Sequence, residues 1–520
     1  MSVPTTSAKR RPDFFQVPSV NAPDTLFDRL GRCDDKQRDA FLTELYPKLR
    51  RANPRDTLRN ADQGLLLIPQ EYIVIGEIDP LTKLGKDYSS LVEGKSFFLQ
   101  NGDEAIPVNV VKNRRCGPSA RALILLSAIN ADSLERLADI AEDVPVTTDR
   151  AGANKIGQIH TGKSNAQGSG EGYPNAYGHT RPVLPDSFRP MFGLRQPQQP
   201  IKSSSDQLPP VVPGWKPEDD KEVDRRKPVD GRKQVKVAIL DTGLRSAGNK
   251  STSQADCSAV HTGWNFVDNI SDVNDNHPDL HGTRITAIIQ QQAPSAVCLP
   301  VKTANQNGVC ELYDVLCGLE YARVNGANVV NASFSFSANE VPNPEVPIPL
   351  LNTMISALEE ANIWVVAAAG NAIQYAGGSP TGVLLAEPLL YPACYSRASN
   401  RTDETNRIIT VTTVSRIRES GNGVPAFGLS ECYSPEFVDV GIIANSEPPN
   451  AVFTEDKSFK APGFAPAPGT SYATAYMSGR VANALAAQSI LGKMQLITAI
   501  NPESKQNLTF GIHEGRSVAV

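Results

Sequence analysis

The sequence predicts an α/β fold, a doubly wound and mostly parallel sheet, preceded by a small α+β domain and a linker rich in proline and glycine. Three observations support this prediction. From residue 234 onward, apolar runs alternate with amphipathic helical patterns, as in a parallel sheet covered on both faces. The 520 residues exceed what one hydrophobic core usually accommodates. Eleven of the 55 residues from Pro174 to Pro228 are prolines, which opposes compact folding.

Residues 1–62 are predicted to be helical and partly disordered. Asp34 or Asp35 can cap a short helix that ends before Pro47. Basic residues near the start are not followed by a continuous apolar run, so the pattern of a secretory signal is missing. We therefore expect a cytoplasmic protein.

Residues 63–149 are predicted to form the small α+β domain. The runs GLLLIP, EYIVIGEI and ALILLSAI are typical of strands, and NADSLERLADIAED has the apolar spacing of a helix. Asn101-Gly102 lies between two further strand patterns and predicts a hairpin turn. The domain has two interpretations, an inhibitory prosegment and a domain that binds a partner or regulates the chain.

Residues 150–233 are predicted to be a disordered linker. The stretch from Gly157 to Ser164 fits the phosphate-loop pattern G-x-x-x-x-G-K-[ST]. Phosphate binding also requires a helix directly after the loop, and the following NAQGSGEGYPNAYG cannot form one. Nucleotide binding is therefore disfavoured. The basic cluster at 225–227 is interpreted as solvated linker, with a processing site as the weaker alternative.

Residues 234–520 are predicted to form the α/β domain. Strands are predicted at VKVAIL, AVCLPVK, ANVVNASF, IWVVAAA and RIITVTTV, and helices at HGTRITAIIQQ, ELYDVLCGLEYARVNG and PLLNTMISALEEAN. Ligands of such sheets bind beyond the carboxyl ends of the strands. Candidate functional residues are therefore expected at these ends.

Four polar residues occupy such boundaries: Asp241, His281, Asn371 and Ser471. A serine hydroxyl becomes a good nucleophile when an imidazole removes its proton, and a carboxylate can orient that imidazole. An asparagine amide and a backbone N–H can stabilise the resulting oxyanion. Each residue alone is more often only a turn or cap residue, but together they indicate acyl-transfer chemistry.

These motifs resemble those of the subtilisin-like serine peptidases, the subtilases, over roughly half of the chain. They are Asp241-Thr-Gly, His281-Gly-Thr, Asn371 and Gly-Thr-Ser471 in the family's order, joined by VNASF, VVAAAGN and FVDVG. The resemblance implies a serine endopeptidase that cleaves protein or peptide substrates through an acyl-enzyme. Asp241 would orient His281, which would act as general base and acid for the nucleophile Ser471. Asn371 and the Ser471 N–H would form the oxyanion hole.

The resemblance also implies a substrate-binding strand and a specificity pocket. Ser333 and Phe334 would lie on the strand that pairs with an extended substrate, and Ser335 would border the pocket. The other implied pocket residues are Ala368, Ala369 and Gly370. Many subtilases bind calcium, but no carboxylate loop in this sequence can be assigned to it. We assign neither a metal site nor a cofactor.

The sequence departs from the family pattern at four positions, which are Ser335, Arg284, Tyr472 and Ala475. The family usually has Gly, His, Met and Pro there. A second hypothesis is that the domain is catalytically degenerate and serves as a binding module or scaffold. The four intact motif residues argue against it, whereas Ser335, Tyr472 and Ala475 leave it open. An α/β-hydrolase esterase is disfavoured, because it requires the motif G-x-S-x-G and the order Ser, Asp, His.

Several other classes of function are disfavoured. Lys plus Arg number 51 and Asp plus Glu 56, a net charge of −5, which gives no support to nucleic-acid binding. No apolar run approaches the ~20 residues that span a membrane. His277 and His281 are four apart, but Pro278 stands where the metalloprotease motif needs Glu. The eight cysteines are widely spaced and are interpreted as thiols in a reducing compartment.

Overall fold

The computed structural model divides the chain into two compact units. The first comprises residues 1–61, 66–155 and 183–213, and the second comprises 62–65, 156–182 and 214–520. The structure describes residues 13–16, 66–79, 81–101, 104–129, 133, 136–137, 150–159, 233–245, 263–306, 308–338, 348–371, 389–397, 401–418, 425–429, 431–444, 458–500, 502–504, 508–509 and 512–519.

The first unit is built on an antiparallel sheet. Its strands are β1 (Asp13–Gln16), β2 (Leu66–Ile75), β3 (Ser96–Asn101), β4 (Glu104–Arg115) and β5 (Ala122–Ala128). They pair in the order β1-β3-β4-β5-β2, and each pair is antiparallel. Alternate side chains of these strands, such as Ile106, Val108 and Val110, form a buried apolar cluster.

Several strands predicted for the first unit correspond to strands that the structure describes. β3 and β4 form the predicted hairpin, but Asn101 pairs with Glu104, so the strands are separated by Gly102 and Asp103 and not by Asn101 and Gly102. The two predicted strands before it are one continuous strand, β2. The helix predicted near residue 34 and most of the helix predicted after residue 130 lie outside the described residues, although Ser133 is helical.

The region predicted as a linker begins with a strand, so its first ten residues differ from the prediction. β6 (Arg150–Ile159) extends across the boundary between the two units, which falls after Lys155. Gly157 therefore lies inside a strand and not in a phosphate loop. Residues 160–232, including the basic cluster, lie outside the described residues.

The second unit contains the remaining strands and all five described α-helices. The strands are β7 (Lys236–Asp241), β8 (Trp264–Asn265), β9 (Val297–Lys302), β10 (Val309–Glu311), β11 (Val329–Ala332), β12 (Phe334–Ala338), β13 (Trp364–Ala368), β14 (Leu389–Tyr391), β15 (Ile408–Arg418), β16 (Pro425–Leu429), β17 (Val440–Ile443), β18 (Ser458–Phe459), β19 (Ala467–Pro468), β20 (Glu503–Ser504) and β21 (Arg516–Ala519). The helices are α1 (His281–Gln292), α2 (Leu312–Val324), α3 (Pro349–Glu360), α4 (Thr470–Ala487) and α5 (Lys493–Ile500).

The central sheet of this unit is mostly parallel, as the sequence predicts. Its order is β20-β21-β17-β15-β13-β11-β7-β9-β8. The pairs from β21 to β8 are all parallel, whereas β20 and β16 join antiparallel. Parallel strands align their carboxyl ends at one edge, so β7, β11 and β13 deliver the residues that follow them to the same place.

Helices cover both faces of this sheet. Ile239 of β7 belongs to a buried cluster with residues of α1 and α4. The next residue, Leu240, approaches α2 on the other side, where a Cβ built on Gly318 would lie 3.2 Å from its Cδ2. Successive residues of a strand point to opposite faces, so the architecture is doubly wound.

Helices α1 and α4 pack closely against each other. Gly479 of α4 faces the end of α1, where a built Cβ would lie 2.4 Å from Gln292 Cβ and 3.1 Å from the Ile289 carbonyl oxygen. The helices begin at His281 and Thr470. Their spacing therefore sets the separation of two candidate functional segments. No helix among the described residues combines the length and the apolarity needed to cross a membrane.

Gly479→Ala is expected to destabilise the second unit, although alanine favours helices. The added methyl group must push α1 and α4 apart, and overpacking of this kind costs about 1–3 kcal/mol. This exceeds the ~1 kcal/mol that alanine gains over glycine within a helix. Urea unfolding followed by circular dichroism measures the change. Ala487→Ser, on an exposed position of the same helix, is the control, and equal stability of both variants would contradict the packing argument.

Candidate active site

Asp241 and His281 form a buried carboxylate–imidazole pair. Asp241 ends β7, and His281 is the first residue of α1. His281 Nδ1 lies 2.8 Å from Asp241 Oδ1, which also accepts a 2.7 Å hydrogen bond from the Thr242 N–H. Both side chains are fully buried. A carboxylate at Nδ1 favours the tautomer that carries its proton there, leaving Nε2 as the basic nitrogen.

Ser471 lies at the start of α4, beside this pair. It follows Gly469, whose φ of 136° permits the turn into the helix, and it is 0% exposed. Its Oγ donates to the Ser333 carbonyl oxygen at 3.3 Å. His281 Nε2 is buried and has no hydrogen-bond partner among the described residues. The start of α4 thus lies beside His281, whose ring is near that of Tyr472, but no hydrogen bond joins Ser471 Oγ to His281 Nε2.

Asn371 is held beside the start of α4 by hydrogen bonds to its amide oxygen. Its Oδ1 accepts from the Thr470 N–H at 2.8 Å and from Thr470 Oγ1 at 3.0 Å. The residue directly follows Gly370, which has a φ of 106°. Because the oxygen is engaged by Thr470, the amide nitrogen remains the side chain's donor group for an oxyanion.

The predicted substrate strand lies against the start of α4. Ser333 Oγ donates to the Ser471 carbonyl oxygen at 3.4 Å, and Asn331 Nδ2 donates to that same hydroxyl at 2.9 Å. Ser333 is fully buried, and Ser335 is 7% exposed. Phe334 begins β12 and packs edge-on against Phe336.

The three residues predicted to form part of the pocket lie at the carboxyl end of β13, where Ala368 is the last strand residue and Ala369 and Gly370 follow it. Ala368 and Ala369 have no exposed surface, and the Ala369 N–H donates to the Val411 carbonyl oxygen. The Gly370 carbonyl oxygen accepts from the Cys432 N–H at 3.1 Å. The structure places the two alanines in packed surroundings.

Two departures from the family pattern are Tyr472 and Arg284. The Tyr472 ring lies 5.4 Å from the His281 ring. The Arg284 guanidinium lies 5.1 Å from the centre of the Phe464 ring. Burial raises the pKa of Tyr472 to about 12. The phenol that packs beside the His281 ring is therefore neutral.

A second histidine, His277, lies in the loop before α1, near His281. The His277 and His281 rings are 6.2 Å apart at their centres, and the Asp279 N–H donates to His277 Nδ1. Burial lowers the pKa of His277, which also favours the neutral ring. Among the residues that the structure describes, no group of three or more His, Cys, Asp or Glu side chains is arranged to hold a metal ion.

Sequence reasoning missed the buried polar groups that surround the pair. Lys302 is 2% exposed, and its Nζ donates to the Thr242 carbonyl oxygen and to Asn276 Oδ1. Burial lowers the pKa of Lys302, whereas nearby aspartates, foremost Asp275, oppose this shift. Both Asp275 and Lys302 lie outside the recognised motifs, in a loop and in an otherwise apolar strand. Only their polarity beside buried segments could have drawn attention to them.

Comparison with known proteins gives one family. Residues 232–509 match the model of the subtilase family. Over 230 residues the chain is 24% identical to the minor extracellular protease Epr of Bacillus subtilis (strain 168). The aligned region is 42% of this chain and 31% of that protein. The chain thus spans about a third of the length of this curated relative.

Solved structures with a similar arrangement each cover 55% of this chain. One is the A-subunit of the AB5 toxin from E. coli, with 17% identity, 89% of that chain covered and a TM-score of 0.40. Another is a lanthipeptide protease, with 18% identity, 85% covered and a TM-score of 0.40. A cold-adapted subtilisin-like serine proteinase has 18% identity, 88% covered and a TM-score of 0.39.

Tyr472→Phe is expected to reduce the loss of stability at high pH. The folded pKa of about 12 lies above the ordinary value of about 10. The phenol's contribution is therefore complete below about pH 10 and is lost as the pH rises to about 12. As the pH rises from about 10 to about 12, the free energy of unfolding of the wild type should fall by up to about 2 kcal/mol more than that of Tyr472→Phe.

Urea unfolding at a series of pH values tests this expectation. Tyr433→Phe, which alters a partly exposed tyrosine, is the control and should behave as the wild type does. If Tyr472→Phe and the wild type lose the same stability between about pH 10 and 12, burial of Tyr472 does not raise its pKa.

Proposed function

The chain belongs to the subtilase family, and on this premise we propose that it is a serine endopeptidase that cleaves peptide bonds through an acyl-enzyme intermediate. The observation that carries the proposal is the buried contact of 2.8 Å between Asp241 and His281 Nδ1. This contact leaves Nε2 as the basic nitrogen beside the helix that begins with Thr470 and Ser471.

The reaction follows from the roles that these groups can take. His281 Nε2 removes the Ser471 hydroxyl proton as Oγ attacks the substrate carbonyl, and Asp241 stabilises the imidazolium. The Asn371 amide and the Ser471 N–H donate to the oxyanion. His281 then protonates the leaving amine, and water hydrolyses the acyl-enzyme by the reverse sequence of proton transfers.

A catalytically degenerate binding module is the alternative function. The hydrogen bond from Ser471 Oγ to the Ser333 carbonyl oxygen favours it, because this hydroxyl is not aimed at His281 Nε2. A serine hydroxyl exchanges partners by rotation about one bond, and catalytic hydrogen bonds are often poorly formed without substrate. The peptidase proposal therefore requires the Ser471 hydroxyl to turn from the Ser333 carbonyl oxygen to His281 Nε2 when substrate binds.

Ser471→Ala is expected to abolish both peptide hydrolysis and covalent labelling by a fluorophosphonate. The probe requires a serine activated by a general base, so the wild type should label at this residue alone. Ser489→Ala, an exposed serine beyond the same helix, should label as the wild type does. A folded wild type that neither labels nor hydrolyses peptides supports the binding module instead.

Asn371→Ala is expected to lower kcat by about 10²–10³-fold with little change in KM, as removal of an oxyanion donor does. Thr470→Val removes one of the two hydrogen bonds that orient Asn371 and keeps the backbone N–H, so its loss should be smaller. Steady-state kinetics on a peptide substrate measures both. An effect of Asn371→Ala on KM alone would remove it from the oxyanion hole.

We also propose that the chain inhibits itself through β6. Within the second unit, Gln158 pairs with Val309 of β10 and with Ser335 of β12, and Ile159 pairs with Phe334. The segment from 156 to 159 is thus an antiparallel strand on the strand predicted to bind substrate. Ser471 is fully buried, so a substrate reaches it only after a rearrangement.

The register also indicates where the chain would cleave itself. Ser471 Oγ touches the carbonyl of Ser333, the residue that precedes Phe334. A peptide that pairs with β12 in the same register as β6 is therefore attacked at the residue that follows the one paired with Phe334. For this chain, that rule predicts cleavage after position 160.

Gln158→Pro is expected to raise the initial rate of hydrolysis of an added peptide. Proline removes a backbone donor from the middle of a sheet, whereas Gln158→Ala keeps the backbone and is the matched control. Rates are measured on the full chain at early times, with mass spectrometry to detect cleavage after residue 160. Equal rates in both variants and the wild type would contradict inhibition by β6.

A further inference from the structure

Asp275 is a buried carboxylate in the loop before α1 whose two oxygens are both saturated. Oδ1 accepts from Thr242 Oγ1 at 2.9 Å and from the His277 N–H at 3.1 Å. Oδ2 accepts from the Thr283 N–H at 3.0 Å and from Thr283 Oγ1 at 2.8 Å. Asp275 is 0% exposed, and these four donors compensate a buried anion for the water it has lost.

The partners of Asp275 flank the two residues of the buried pair. Thr242 directly follows Asp241, and Thr283 is two residues after His281. Thr242 Oγ1 also accepts from the Gly282 N–H at 3.0 Å. One carboxylate therefore joins the segment that carries Asp241 to the segment that carries His281.

The backbone at Gly282, beside His281, is in close contact with the backbone at Gly243, which follows Asp241 and Thr242. A Cβ built on Gly282 would lie 2.2 Å from the Gly243 carbonyl oxygen and 3.2 Å from Asp241 Oδ1. The Lys302 Nζ donates a hydrogen bond to the Thr242 carbonyl oxygen in the turn after β7. A shift of Thr242 or Gly282 therefore moves one member of the pair relative to the other.

We propose that Asp275 is a positioning residue for the reaction, a second carboxylate that sets the distance between Asp241 and His281 through Thr242 and Thr283. The proposal rests on the proposed peptidase function, because positioning matters only if the pair is catalytic. Asp275 touches neither of the reacting side chains through its own oxygens. Its effect passes through the two threonines and the Gly282 N–H.

The competing explanation is that Asp275 only caps α1. Thr283 is the third residue of that helix, and a carboxylate that accepts its N–H satisfies one of the free donors of the first turn. A cap stabilises the fold without setting the geometry of the pair. The bonds to Thr242 distinguish the two explanations, because Thr242 belongs to β7's turn and not to α1.

Asp275→Asn tests the proposal, since the amide keeps the size of the side chain but turns one acceptor into a donor. We expect kcat to fall by about 10- to 100-fold, because a small misplacement of catalytic groups has an effect of this size. KM should stay within about threefold of the wild-type value, and the variant should remain folded. Asp272→Asn, an exposed aspartate of the same loop, is the matched control.

The second readout does not depend on activity. In a Ser471→Ala background, which prevents self-cleavage, proton NMR detects the low-field resonance of the His281 Nδ1 proton bonded to Asp241. Asp275→Asn should shift or broaden this resonance, and Asp272→Asn should leave it in place. If the wild type cleaves no peptide but the resonance responds as described, Asp275 does set the geometry of the pair, and it is the peptidase function that fails.

Three results would overturn the proposal. They are an unchanged kcat, an unchanged resonance in folded Asp275→Asn, and a rise in KM without a fall in kcat. If Asp275→Asn does not fold, Thr242→Val replaces it, because this variant removes only the hydroxyl between Asp275 and the Gly282 N–H. If folded Thr242→Val has the kcat and the resonance of the wild type, the positioning proposal is overturned.

Discussion

The hydrogen bond between the Asp241 carboxylate and His281 Nδ1 is the interaction on which the proposed chemistry depends. It joins residues that are 40 positions apart, and it lies where no solvent reaches either group. A carboxylate buried there must be compensated by donors. The Thr242 N–H and the imidazole supply them to Oδ1, whereas Oδ2 has no hydrogen-bond partner among the described residues. The fold therefore has to hold a strand end and a helix start in fixed contact.

The parallel sheet and the packing of two helices provide this contact. β7 delivers Asp241 to the edge at which β13 ends, and Asn371 follows β13 by way of Gly370. Close packing at Gly479 holds α1 and α4 together. The catalytic candidates thus sit on elements whose positions are set by the core, while their orientation is set by short polar contacts around Thr242 and Thr470.

The sequence predicts those parts of the molecule that local pattern determines. The strand at Lys236–Asp241 and the helix from His281 follow from apolar spacing, and the candidate residues follow from their places at element ends. β6 could not be predicted, because Gly157 and Gln158 have little strand preference and form a strand only through partners far along the chain. Asp275 was missed for a related reason: a polar residue in a loop reveals its role only when its four donors are in place.

Stopped-flow hydrolysis of a chromogenic peptide ester, combined with mass spectrometry of the quenched protein, tests the central claim most directly. An acyl-enzyme mechanism predicts a rapid burst of leaving group, about one per active site, and an acyl adduct on Ser471. Turnover without an adduct on Ser471, or an adduct on another residue, would contradict the account.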